Sequence, residues 1–138
     1  MNWLPLALLS ALFAGLVAIF GKIGMKNIDS VLATTARSAV MFGALFILVF
    51  VQGKVTQLTK FSWQAWAFIA LSGLAGAASW LCYFQALKVG PASRVGPVDK
   101  LSTLITIVLA AIFLGESIGW KVAAGAILIA AGGILVAL

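Results

Sequence analysis

Apolar residues fall in five blocks, at about 3–21, 31–51, 63–87, 91–114 and 119–138, separated by short polar breaks. Each block is close to the roughly 20 residues that carry a helix across a hydrocarbon core about 30 Å thick. The pattern predicts an all-α fold, a polytopic membrane bundle of five transmembrane helices forming a single domain over residues 1–138. No break is long enough to hold a soluble domain, and the five-block unit is not repeated along the chain.

The first block has Pro5 in its first turn, where a missing N–H costs little. Ala7, Ala11 and Gly15 recur every four residues and form a ridge that another helix can approach closely. A cleaved signal peptide is the competing reading of this block. Its length and the lack of Lys or Arg before it argue against that. Asn27-Ile28-Asp29-Ser30 is a polar turn that offers Asp29 or Ser30 as the next N-cap. The second block is small and polar in its first half (Ala33-Thr34-Thr35-Ala36-Arg37-Ser38) and bulky in its second. Arg37 stands nearly two turns inside. It either snorkels to the headgroups or faces a polar cavity, and the sequence leaves both readings open.

Trp63 and Trp66 open the third block as interfacial aromatics. Its middle, from Ser72 to Ser79, is built of small residues, and Trp80, Tyr83, Phe84 and Gln85 follow. Aromatics beside small residues serve either helix packing or the wall of a substrate cavity. The last block again carries small-residue faces, with Gly125, Ala126, Ala130, Gly132, Gly133 and Ala137.

Composition narrows the class further. The chain is 64% hydrophobic and 9% charged, against about a quarter charged in soluble domains. A net charge of +6 would suggest nucleic acid in a soluble protein. Here the basic residues sit singly at block ends, which points to the membrane surface and to no nucleic-acid partner. Cys82 is the single cysteine and histidine is absent, so neither a disulfide framework nor a metal site is expected. With no nucleophile–base pair and no phosphate loop, the pattern predicts neither an enzyme nor a cofactor.

Gly90-Pro91-Ala92-Ser93-Arg94-Val95-Gly96-Pro97-Val98-Asp99-Lys100 concentrates two Gly-Pro pairs and three charges. If the fourth helix began after Pro97 it would be about 25 Å long, barely a span. Beginning at Pro91 it would reach about 36 Å, with Gly96-Pro97 as an internal kink and Lys100 about 14 Å deep. The short turn after Leu87 and the length of the neighbouring blocks favour the second placement. Charges at depth mark substrate or ion paths in transporters. Arg37, Arg94, Asp99 and Lys100 are therefore the candidate binding and coupling residues, with Trp80 and Tyr83 as aromatic walls. Asp99 could carry a coupling proton or pair with Lys100.

The odd number of spans puts the termini on opposite sides. Lys54, Lys60 and Lys121 fall on one face, and Lys22, Lys26, Lys88 and Arg94 fall on the other, with Arg37 and Lys100 deeper. That bias is too small to orient the chain by the positive-inside rule. It suits insertion both ways.

The run Ala86-Leu87-Lys88-Val89-Gly90-Pro91-Ala92-Ser93, then Pro97-Val98-Asp99-Lys100-Leu101-Ser102, resembles the EamA domain of the drug/metabolite transporter superfamily. So does Phe113-Leu114-Gly115-Glu116-Ser117 followed by Trp120 and a Gly/Ala-rich last helix. The chain is similar to a single five-span half of those transporters, as in the bacterial and archaeal group. The resemblance implies a secondary transporter or exporter of small metabolites in a prokaryotic plasma (inner) membrane. It also implies an antiparallel homodimer with the cavity near the midplane. The related four-span multidrug exporters use an acid in their first helix, and none stands there in this chain. A zwitterionic or anionic substrate suits Arg37, Arg94 and Lys100 better than a cationic drug. An accessory membrane subunit that transports nothing itself remains the alternative.

Overall fold

The computed structural model describes residues 2–138, and every regular element in it is a helix. In chain order these are α1 (Trp3–Gly24), α2 (Ser30–Val51), α3 (Trp63–Val89), α4 (Ala92–Asp99), α5 (Ser102–Leu114) and α6 (Trp120–Ala137). A short 3₁₀ turn, Val55–Lys60, lies between α2 and α3. With α4 and α5 taken together as Ala92–Leu114, five helical stretches are long and apolar enough to cross a membrane. Their large apolar side chains are mostly exposed. In lipid this is expected, because hydrocarbon tails solvate leucine as well as another helix does. The all-α, five-span membrane architecture expected from the blocks is the one observed.

The chain divides into two units, one of α1 up to Gly21 with Val89–Leu138, the other Lys22–Lys88. In the first, α6 packs against α4 and α5. The contact is close at Gly133, which is buried. A Cβ there would lie 3.0 Å from Leu101 Cδ2 and 3.3 Å from the Pro97 carbonyl oxygen. Pro91 caps α4, which therefore starts before the second Gly-Pro pair and carries Gly96 and Pro97 inside it. Pro97 has no N–H to give to the carbonyl one turn back. The ladder tightens after it, Lys100 N donating to Pro97 O at 3.1 Å and Leu101 N to Val98 O at 3.0 Å. The interruption thus falls at Lys100–Leu101, one turn beyond the proline. At the far end Gly115 takes φ of 68° and ends α5 in the left-handed conformation that glycine adopts without strain.

In the second unit α2 starts at a cap. The Asp29 carboxylate accepts from Val31 N at 2.9 Å and Leu32 N at 3.2 Å, satisfying two of the orphan donors of a helix start. Ser30 donates to the side-chain oxygen of Gln85, and Arg37 meets Trp80. Residues later in α2 thus pair with residues earlier in α3, so the two helices run antiparallel. The buried core of this unit is small and lies toward one end, at Met25, Ser30, Thr34, Phe84 and Leu87. Lys22 closes that end by donating to the carbonyl of Leu87, in the last turn of α3. Carbonyls there lack helical partners and the dipole favours a cation.

Candidate functional site

Beyond the buried end, α2 and α3 flank an open cavity of about 520 Å³. From α2 it is lined by Thr34, Arg37, Ser38 and Met41, which follow helical spacing. From α3 it is lined by Gly73, Gly76, Ala77 and Trp80, again at helical spacing. Nothing comes within 4 Å of where a Cβ would stand on Gly73 or Gly76. The small residues of this helix therefore leave room and are not filled by a neighbouring helix. Larger side chains at those positions would occupy the cavity.

Arg37 is the charged group of the cavity. Its guanidinium carbon stands 3.9 Å from the centre of the Trp80 ring and 5.3 Å from that of Phe84. Trp80 and Phe84, one turn apart on α3, stack with centroids 5.3 Å apart and planes at 26°. Tyr83 meets Trp80 edge-on at 5.7 Å. Cation–π attraction of this kind is worth about 0.5–2 kcal/mol, more as water is excluded. It holds the guanidinium across to α3. Asp29 is the one acid of this unit, and its carboxylate is engaged at the start of α2. No acid or carbonyl of the described residues in this unit is hydrogen-bonded to Arg37. Its fork of N–H donors is available for an anion.

The other candidates lie in the first unit. Lys100 Nζ stands 3.4 Å from the Asp99 carboxylate, a long contact between partly exposed side chains at the break between α4 and α5. Arg94 is exposed on α4. Arg37, Trp80 and Tyr83 are therefore brought together, and Asp99 pairs with Lys100.

Thr34 and Ser38 also line the cavity, and the sequence reading does not single them out. Their signal was present, since two hydroxyl residues one turn apart, with an arginine between them, are unusual inside an apolar block. Among the described residues, no group of three His, Cys, Asp or Glu could hold a metal.

Comparison with known proteins places the chain. The family model of the EamA-like transporter family matches it over residues 1–138. It is similar to a protein from Sinorhizobium sp. described as an uncharacterized transporter in the cobO 3′ region. The two are 43% identical over 136 residues, 99% of this chain and 96% of that relative. No solved structure matches the chain. A match over the full length, on a chain whose helices are built to span a membrane, shows that this integral membrane protein belongs to the EamA-like transporter family.

Proposed function

We propose that the protein is a secondary transporter of small anionic or zwitterionic metabolites, working by alternating access as an antiparallel homodimer in a prokaryotic plasma membrane. The observation that carries this reading is the cavity itself. It holds an arginine inside a membrane-spanning helix, with an aromatic partner and no acid in the lining. Such a charge is costly in a span unless something uses it. A substrate carboxylate or phosphate would meet the guanidinium, and Trp80 would form the wall beside it, with Tyr83 edge-on against that ring. Arg94 and Lys100 add positive charge along α4 that favours the same substrates. Asp99 is the group for coupling to protons, because its carboxylate can exchange a proton or its Lys100 partner. The bend in the Pro97 region supplies a hinge for the movement.

Uptake into proteoliposomes tests the reading, using labelled carboxylates and phosphate esters with and without a pH gradient. Asp99→Asn is expected to remove the effect of the gradient, and Lys100→Ala to lower uptake about tenfold. Normal, gradient-driven uptake by both variants would overturn these assignments. A tag at Leu138 is expected on both sides of native membranes, since an antiparallel pair needs both insertions. A tag found on one side alone would exclude the antiparallel dimer. Stable crosslinks to other chains, without flux, would mark an accessory subunit.

A further inference from the structure

The hydrogen bonds inside the cavity limit which anion fits it. Thr34 donates its hydroxyl proton to the Ser30 carbonyl at 2.7 Å, and Thr35 donates to Val31 at 2.9 Å. Ser38 donates to Thr34 at 2.9 Å. A hydroxyl has one proton and two lone pairs. With the protons committed to the backbone of α2, the three oxygens are left to the cavity as acceptors. Arg37 has the opposite character, offering donors and no acceptor. Thr34 and Arg37 share a helix face, with Cβ atoms about 5–6 Å apart, and Ser38 follows directly. The cavity therefore sets a cationic donor beside neutral acceptors.

Charge narrows the ligand further. One guanidinium balances one negative charge, and the unit supplies no second cation to the cavity lining. A phosphate monoester, with nearly two charges at neutral pH, would leave an excess charge in a medium of low polarity. The rest of the lining is apolar or small, with Val31, Met41, Leu81 and Ala77.

Resting on the transporter reading above, we infer that the cavity takes a monocarboxylate with a hydrogen-bond donor on the carbon next to its carboxylate. The carboxylate sits on Arg37 and the neighbouring donor gives its proton to the hydroxyl oxygen of Thr35 or Ser38, which are exposed where Thr34 is buried. The remainder of the molecule lies against the apolar lining and Trp80. A carboxylate without that donor leaves the hydroxyl oxygens unpaired and is disfavoured for that reason.

Equilibrium binding to the purified protein tests this without requiring flux. The probes are lactate and 3-phenyllactate, each with its 2-methoxy and 2-deoxy analogue. The 2-methoxy analogues keep the oxygen and remove the donor. At least one hydroxy acid is expected to bind about tenfold more tightly than both of its analogues. Ser38→Ala combined with Thr35→Val is expected to reduce that preference to under threefold, and Ser38→Thr to restore it in part. Ser38→Ala alone, at an exposed position, guards against a folding defect in the double variant. Equal binding of each hydroxy acid and its two analogues would overturn the inference. So would the absence of binding by all six probes, or a preference that survives in the double variant. Preferential binding without any flux leaves the inference standing and removes the transporter reading. Flux of carboxylates with no donor preference does the reverse.

Discussion

Replacing Arg37 by alanine is expected to lower carboxylate uptake by about 10- to 100-fold, the range a lost charge-assisted hydrogen bond supports, while leaving the protein as stable as before or more so. The two halves of this expectation have one cause. Arg37 has no acid partner in its unit, and its favourable contacts are with the rings of Trp80 and Phe84. Those contacts contribute about 0.5–2 kcal/mol. Arginine near the centre of a span costs about 2.5–3.5 kcal/mol on insertion scales, and less at the depth of about 10 Å where Arg37 stands. Alanine removes both terms, so the unfolding temperature in detergent should hold or rise.

Arg37→Lys keeps the charge but loses the planar fork and its stacking on Trp80, and should recover only part of the uptake. Trp80→Phe retains a ring for the guanidinium and should resemble the parent. Trp80→Ala lets the side chain turn toward the headgroups and should approach the Arg37→Ala loss. An arginine that merely anchors α2 at the interface would behave differently. Lysine would then replace it fully, and Trp80→Ala would leave uptake intact.

The largest stability effect is expected at Gly133. Gly133→Leu should lower stability by about 1–3 kcal/mol or more, as overpacking of a close contact does. A Cβ at this position already meets Leu101 at 3.0 Å and the Pro97 carbonyl at 3.3 Å. The leucine side chain can give way, but the carbonyl belongs to the backbone of α4 and moves only with the helix. Gly132 provides the internal comparison, because nothing lies within 4 Å of its Cβ position. Gly132→Ala should be neutral or stabilising, since alanine favours a helix over glycine by about 1 kcal/mol. Gly133→Ala should shift stability the other way. Thermal unfolding of the three variants in one detergent compares them directly. Equal behaviour at the two glycines would mean that α6 does not pack on α4 through Gly133.

Sequence and tertiary structure divide this protein in a way these residues make plain. Span number, helix class and approximate helix ends were legible from the apolar blocks, because a bilayer imposes a length and forbids unpaired backbone polar groups. The cap of α2 was legible as Asp29 or Ser30, being a local arrangement within three residues of the helix start, and Asp29 takes it. The family was legible from motifs that lie close together along the chain.

Three things were not legible. The partners of Arg37 are Trp80 and Phe84 of another helix, a contact that the sequence around Arg37 does not contain. Glycine-rich helices looked alike, yet Gly73 and Gly76 open a cavity while Gly133 seats a side chain and a carbonyl. The difference lies in what stands opposite, which periodicity along one helix does not contain. The expected kink residues Gly96 and Pro97 lie inside α4, and the interruption of the regular helix at Lys100–Leu101 was not legible, because it comes from hydrogen bonds after the proline that shorten to three-residue steps. By itself the sequence determined which segments enter the membrane, since that depends on each segment's own transfer from water to lipid. Only the tertiary structure decided where Arg37 points and which small residues leave space, since those depend on side chains facing one another from different helices.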